Sequence, residues 1–222
     1  MSSSIEARLD MLEKQVGELT GLARSADFDT AWIIWCGILV FFMQVGFAML
    51  EVGSISPKNT KAVLIKNLTD AALGAICWWT LGHGFAYGAD QWGFVGTSEF
   101  LLNVSQFDDD VQGRKFAEWF FQWAFAATAA TVVSGAVAER VKIVAYVQLS
   151  IFISLFIYPF VVHWAWSDGG WASPFRCLHA HASDEYQQCV SEARPLLFSC
   201  GSADFAGAGV VHMTGGTYVQ GY

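Results

Sequence analysis

The 222-residue chain is poor in charged residues and in proline. Only 14% of its residues are charged and four are proline, whereas 54% are hydrophobic and the mean hydropathy is +0.39. Soluble domains carry about a quarter charged residues, so the composition favours a membrane protein. The formal net charge of −8 and the lack of a basic patch or reader motif argue against a nucleic-acid partner.

The sequence also lacks the common motifs of enzymes and cofactor sites. It has no Walker lysine loop, CxxC pair, HExxH helix or GxSxG elbow. We therefore predict no enzymatic activity, no cofactor and no metal site. Residues 1–25 are polar and contain no secretory signal, so we expect the chain to enter the membrane through its own spans.

Long apolar runs are abundant, and they predict an all-α polytopic membrane protein. Uncharged residues 30–50 are long enough to cross roughly 30 Å of hydrocarbon as a helix. Residues 51–66, which include Pro57, are predicted to form a loop, and Pro159 is predicted to interrupt a later span. The predicted spans cover about 30–50, 67–88, 116–137, 143–166 and 202–222.

The segments between these spans alternate in charge. Residues 51–66 and 138–142 are net positive, whereas residues 1–29, 89–118 and 167–201 are net negative. Basic segments stay in the cytoplasm. The pattern therefore predicts an extracellular N-terminus, and we expect the chain in the plasma membrane.

Three of the five cysteines lie in one predicted external loop. Disulfides form in that compartment, so one pair among Cys177, Cys189 and Cys200 plus a free thiol is one expectation. The alternative is that all three are reduced. Cys36 and Cys77 lie in predicted spans and are expected to be inert.

Residues 1–26 are predicted to be an extracellular tail with a short helix. Its apolar residues follow a heptad spacing; they are Ile5, Leu9, Leu12, Val16 and Leu19. Two heptads are few, so an oligomerisation coil and a solvated or interfacial helix both stay open.

Several polar and aromatic residues in or beside the spans are candidates for function. His212 is predicted near mid-membrane, as a proton relay or polar lining or as a hydrogen-bonded core residue. Asp204 either caps the fifth helix or favours a cation there. Trp166, Phe121 and Phe125 either bind a cation through their ring faces or form an interfacial belt.

Two more histidines and one charged turn are interpreted as structural rather than functional. His83 and His163 lie near predicted external span ends and are expected to face lipid headgroups. Glu139 and Arg140 are expected to form an ordinary turn pair.

Four stretches resemble the ammonium transporter family (the Amt/Mep/Rh group), and the first resembles its eukaryotic, plant-type members. They read FFMQVGFAMLEVGSISPKNTKAVLIKN at 41–67, FFQWAFAATAATVVSGAVAER at 120–140, YPFVVHWAWSDGGWASP at 158–174 and DFAGAGVVHMTGG at 204–216. The resemblance implies a homotrimer of eleven-helix subunits, each built from two inverted five-helix halves. Residues 27–222 are then the five N-terminal helices of that fold, with the fifth helix truncated after Gly216.

The resemblance also implies a role for each candidate. Phe125, Trp166 and Asp204 match the residues that bind external ammonium and assist its deprotonation. Phe121 and His212 match residues of the pore along which ammonia passes. The implied partners are ammonium, ammonia, methylammonium as an analogue, and the lipid bilayer.

Two alternatives to a conducting pore follow from the same sequence. The second half of the family fold is absent from these 222 residues, so a fragment of a longer transporter is one expectation. The other is a non-conducting regulatory or sensor subunit that assembles with full-length relatives through residues 1–24.

Overall fold

The computed structural model describes residues 2–103, 105, 109–175 and 196–219. The chain is mainly helical, which confirms the all-α prediction. The helices are α1 (Ser2–Ser54), α2 (Thr60–Cys77), α3 (His83–Tyr87), α4 (Asp109–Val137), α5 (Ile143–Phe152), α6 (Tyr158–Trp166) and α7 (Thr214–Val219). Wider π-helical turns at Trp78–Gly82 and Ile153–Ile157 join α2 to α3 and α5 to α6, and a third at Ala208–Met213 leads into α7.

Three helical stretches of the described chain are long and apolar enough to cross a membrane. They are Ala26–Ser54, Val111–Val137 and Ile143–Trp166. The α2–α3 stretch is not among them, and it carries Lys61, Lys66 and Asp70 in its first three turns. The count of five spans therefore stays a prediction.

Two predicted boundaries are wrong. The predicted loop 51–66 is mostly helical, because α1 continues to Ser54 and α2 begins at Thr60, with the short 3₁₀ turn Pro57–Asn59 between them. The predicted fifth span begins at Ala208 rather than near residue 202. The predicted spans end where charged and polar residues occur. These boundaries are wrong because several of those side chains pair with one another inside the protein.

The N-terminal tail and the first span form one helix. The 53 residues of α1 correspond to about 80 Å at 1.5 Å per residue, which is longer than a bilayer is thick. The heptad residues therefore lie on a continuous helix, and Met11 and Leu12 in that part are 59% and 54% exposed. Assembly through this helix stays a prediction.

Helix α4 runs through the centre of the fold. It packs against α1, α2 and α7, and its small residues allow close approach. The side chains at most 1% exposed there include Ala124, Ala126, Ala127, Thr128, Ala129, Ala130, Thr131, Val133 and Ser134. Gln44 of α1 donates a hydrogen bond of 3.1 Å to the Thr128 hydroxyl, which ties the two helices together.

The π turn before α6 accommodates Pro159. Proline lacks a backbone N–H and obstructs the preceding turn of a helix, and π turns are a common solution at such sites. The Tyr158 N–H donates to the carbonyl of Ile153, five residues back, and the helix continues through Pro159 to Trp166. The predicted interruption is thus a widened turn within one continuous helical stretch.

The two predicted basic segments meet at one end of the protein. The Glu139 carboxylate accepts hydrogen bonds from the Ser56 N–H at 2.9 Å and from the Asn59 side-chain amide at 2.6 Å. These bonds hold the pKa of Glu139 below its ordinary value. Glu139 therefore bridges two connections, instead of forming the expected pair with Arg140.

Two of the three predicted acidic segments, 89–118 and 167–201, meet at the opposite end. Strands β1 (Asp90–Gln91) and β2 (Val95–Gly96) form a small antiparallel hairpin, with Asp90 opposite Gly96 and Gln91 opposite Val95. The Trp171 N–H donates to the Gly93 carbonyl at 3.1 Å and joins this hairpin to the segment after α6. Which end faces outward stays a prediction.

The described part of the chain leaves the disulfide question open. Cys36, Cys77 and Cys200 form no disulfide with one another. Cys177 and Cys189 lie outside the described residues.

Candidate functional site

Three aromatic rings from α4 and α6 meet near one end of the bundle. Phe121 and Phe125 lie one helical turn apart on α4, with ring centroids 5.1 Å apart and nearly perpendicular planes. The Phe125 ring meets the Trp166 ring, at the end of α6, edge to face at 5.6 Å. All three side chains are partly buried. The crossing of two helices thus builds a continuous aromatic surface.

Asp204 completes this group from the segment before α7. The Trp166 indole N–H donates to Asp204 Oδ2 at 3.1 Å. Asp204 Oδ1 accepts from the Gly209 N–H at 2.6 Å, and Oδ2 lies 3.4 Å from the Val210 nitrogen. The carboxylate therefore satisfies N–H groups at the helix start, where the helix dipole favours negative charge. We call Phe121, Phe125, Trp166 and Asp204 the aromatic–carboxylate cluster.

A tight turn places the Asp204 carboxylate against that helix start. Ala206 and Gly207 both have left-handed φ angles, +53° and +79°. A Cβ at Gly207 would lie 2.8 Å from Val211 Cγ2 and 3.7 Å from the Trp166 ring. Only glycine adopts this left-handed φ and allows the close approach to Val211 without strain. Gly207 therefore determines where Asp204 lies relative to Trp166.

A cavity of about 1100 Å³ opens beside the cluster, and Phe121 and Trp166 form part of its wall. We call it the outer cavity after the predicted orientation of the chain. Acidic residues outnumber basic ones in its lining; they are Asp90, Glu99, Glu118 and Asp168 against Arg114 and Lys115. Lys115 Nζ lies 3.0 Å from Glu99, and Arg114 Nε lies 2.9 Å from Glu118, so each basic charge is paired. A concave surface with excess negative charge concentrates cations.

His212 lies apart from the cluster. It belongs to the π turn Ala208–Met213, its side chain is exposed, and the imidazole makes no hydrogen bond within the described part of the chain. Asp204 precedes the helix by four residues, so the two side chains do not share a helix face. The structure brings together four of the five predicted site residues and leaves His212 on a separate surface.

The expectation that His83 and His163 face headgroups is wrong. They are 2% and 0% exposed. The His163 ring nitrogens lie 2.8 Å from the Ala86 carbonyl and 2.9 Å from Asp90 Oδ1. His163 thus ties α6 to the end of α3 and to the outer hairpin, one helical turn before Trp166.

Comparison with known proteins places this architecture in a family. A model of the Ammonium Transporter Family matches residues 31–219. The chain is 39% identical over 189 residues to Ammonium transporter 3 of Dictyostelium discoideum, a match that covers 85% of this chain and 36% of that protein. It is 42% identical over 188 residues to Ammonium transporter Amt2 of Archaeoglobus fulgidus, with the same two coverages.

Solved structures show the same fold. A protein described as Sensor Amt Protein superimposes with a TM-score of 0.69 at 30% identity, over 87% of this chain and 43% of that one. The N240A mutant of Candida albicans Mep2 superimposes with a TM-score of 0.66 at 24% identity, over 87% of this chain and 38% of that one. The chain thus spans about a third of the length of the curated relatives above.

Proposed function

We propose that this chain, which belongs to the ammonium transporter family, carries ammonium across a membrane. It does so together with a second set of helices, which the resemblance to that family implies. The observation that supports this proposal best is the aromatic–carboxylate cluster beside an acidic cavity. Such a cluster offers a cation two kinds of stabilisation, ring faces and a fixed carboxylate.

We infer that the cluster recruits ammonium from the outer cavity. The main free-energy cost of binding a small cation is its dehydration. A cation–π contact with an aromatic face offsets about 0.5–2 kcal/mol of that cost, and tryptophan gives the strongest contact. Phe125 and Trp166 present ring surface near the Asp204 carboxylate. Asp204 makes its acceptor contacts with neutral N–H groups, so its negative charge is not cancelled by them and stabilises the cation.

We propose that ammonium gives up its proton to water at the cluster, assisted by Asp204, and that ammonia then passes along His212. The exposed imidazole of His212 can donate or accept one hydrogen bond at each nitrogen, which suits a polar group in a narrow apolar path. Other elements must close this path on the side that His212 faces. Phe121, which lies next to Phe125 and lines the outer cavity, forms the aromatic entrance.

Substitution of Trp166 tests recruitment. Loss of the ring face in Trp166→Leu removes about 0.5–2 kcal/mol of cation–π stabilisation, so we expect KM for methylammonium uptake to rise roughly 2- to 30-fold. Trp166→Phe keeps a ring and is expected to lose less. Uptake is measured with the intact protein in cells that lack their own ammonium transporters.

The matched control is Trp35→Leu, because Trp35 lies on the exposed face of α1 and is 57% exposed. We expect its KM to equal that of the wild type. If Trp166→Leu and Trp35→Leu take up methylammonium equally well at low concentration, the cluster does not recruit the substrate.

A second candidate function is a non-conducting sensor or regulatory subunit. Two observations favour it: the structural likeness to a protein described as Sensor Amt Protein, and a helix α1 that continues well beyond the first span as an exposed rod. This function predicts that the chain co-purifies with an intact transporter and changes its flux. Absence of a complex on native gels would reject it.

We also propose that the intact protein is a homotrimer. The apolar heptad of residues 5–19 supplies a seam at which identical helices can pack. Cross-linking of single cysteines introduced at Leu12 is expected to join subunits. Cross-linking at the charged position Lys14, on another helix face, is the control.

A further inference from the structure

A buried charged cluster lies at the end of the bundle opposite the outer cavity, near the turn 138–142. It joins four helices, since its members come from α1, α2, α4 and α5. We call it the inner cluster; it consists of Glu51, Lys66, Asp70, Ser134, Tyr146 and Ser150, all at most 7% exposed. The described residues already enclose these side chains.

Glu51 and Lys66 form a buried ion pair within this cluster. Lys66 Nζ lies 3.1 Å from Glu51 Oε2, 3.1 Å from the Ser134 carbonyl oxygen and 4.9 Å from the centroid of the Tyr146 ring. The other oxygen of Glu51 accepts a 2.6 Å hydrogen bond from the Ser134 hydroxyl. The two side chains thus lie close enough to compensate each other's charge, as a buried ion pair requires.

Asp70 has a different environment. The Tyr146 hydroxyl donates a short hydrogen bond to Asp70 Oδ2. Asp70 Oδ1 is buried and makes no well-formed hydrogen bond within the described part of the chain, and the Ser150 hydroxyl, which makes none either, lies close enough to interact with this carboxyl group. Asp70 is 0% exposed, so water does not solvate the unpartnered oxygen.

The charges of the inner cluster do not balance if Asp70 is ionised. Among the described groups, the charged side chains that act on Asp70 are Lys66 and Glu51, and they already neutralise each other. An ionised Asp70 would leave one uncompensated negative charge in the interior. Such a charge is far more costly than a neutral carboxylic acid with one hydrogen bond.

From this balance we propose that Asp70 is a proton-binding site, with the proton on Oδ1. The protonated carboxyl is neutral, and it turns Oδ1 into a donor beside Ser150 Oγ while Oδ2 still accepts from Tyr146. The groups that face it are then Tyr146 from α5, Lys66 from its own helix and Glu51 from α1.

A pocket lies beside the residues that contact Asp70. This inner pocket of about 210 Å³ is lined by Lys66 and Tyr146 and also by Asn59 and Glu139. The proton is taken from water in this pocket and is returned to water there, so no other reactant is needed. The proposal places a proton-exchanging carboxyl at the end of the fold opposite the aromatic–carboxylate cluster, and it does not depend on ammonium transport.

Infrared difference spectroscopy tests the proposal without any transport assay. The intact protein is purified into lipid, and spectra are compared between neutral and alkaline pH. We expect the C=O stretching band of a protonated carboxylic acid in the wild type. The band is absent in Asp70→Asn and retained in Glu118→Gln, which alters an exposed acid paired with Arg114.

Two further variants keep the proposal falsifiable if Asp70→Asn fails to fold. Tyr146→Phe removes the hydrogen bond to Oδ2, so the band is expected to persist at a shifted frequency. Glu51→Gln leaves the charge of Lys66 uncompensated, so by the same balance Asp70 is expected to ionise and the band to weaken or disappear. Spectra of Asp70→Asn that superimpose on the wild type, an unshifted band in Tyr146→Phe, or an unchanged band in Glu51→Gln would each overturn the proposal.

Discussion

The turn at Gly207 offers a sharp test of how the candidate site is built. An alanine there must keep φ near +79° and place Cβ 2.8 Å from Val211 Cγ2. The left-handed conformation costs a non-glycine residue about 1–2 kcal/mol, and overpacking typically adds about 1–3 kcal/mol. We therefore expect Gly207→Ala to destabilise the protein by about 2–5 kcal/mol.

The matched control is Gly216→Ala in α7. A Cβ at Gly216 meets no atom within 4 Å, and alanine is favoured over glycine inside a helix by about 0.5–1 kcal/mol. Thermal unfolding of the intact protein in detergent compares the two. Gly207→Ala is expected to lower Tm by several degrees, and Gly216→Ala to leave it unchanged or slightly raised.

The same variant connects the turn to function. Displacing residues 206–210 separates Asp204 from the N–H groups of Gly209 and Val210 and from Trp166. We expect the rate of methylammonium uptake by Gly207→Ala to fall by a larger factor than the amount of folded variant protein. Equal Tm values for Gly207→Ala and the wild type, or an equal loss in Gly216→Ala, would refute this account of the turn.

Two other predictions concern the opposite end of the protein. Hydrogen bonds from Asn59 and Ser56 lower the pKa of Glu139, so its contribution to stability is present above the ordinary glutamate pKa and is lost as pH falls through the lowered pKa. The Tm difference between wild type and Glu139→Gln should therefore shrink over that acidic range. A difference that grows there would contradict the prediction. Breaking the buried pair in Lys66→Met leaves Glu51 uncompensated and should lower the free energy of unfolding by about 3–5 kcal/mol. The double variant Lys66→Met/Glu51→Gln should unfold at a higher temperature than Lys66→Met alone. Additive losses would show that the two residues are independent.

Local sequence signals located the helix ends that follow charged turns. The charged turn 138–142 separates two apolar runs, and the structure ends α4 at Val137 and begins α5 at Ile143, as predicted. The end of α6 at Trp166 was also predicted correctly. Turn residues and the length of the apolar runs suffice to place these helix ends.

The sequence did not predict the partners of the buried charges. The predicted loop 51–66, placed around Pro57, contains both Glu51 and Lys66, whereas the structure pairs them inside the bundle. They are 15 positions apart, and they meet because α1 and α2 fold back at the short turn 57–59. The assignment of His163 to the surface failed for the same reason, since its partner Asp90 lies 73 positions away.

The candidate site was predicted only in its residue types. Aromatic residues on α4 and α6 indicated a cation site, but the edge-to-face contact of Phe125 with Trp166 depends on how two helices cross. The position of Asp204 depends on two left-handed residues, and one of them, Ala206, carries no turn signal. Residues 89–115 were recognised as acidic, but their role in lining the outer cavity requires the folded chain.

Methylammonium uptake into proteoliposomes tests the central claim most directly, with the intact protein as wild type and as His212→Ala. The account predicts saturable uptake by the wild type, and a changed rate or changed competition by potassium in His212→Ala, because the imidazole lines the path. Uptake by neither protein above that of empty liposomes would contradict transport. Identical uptake and potassium competition in both would contradict the assignment of His212.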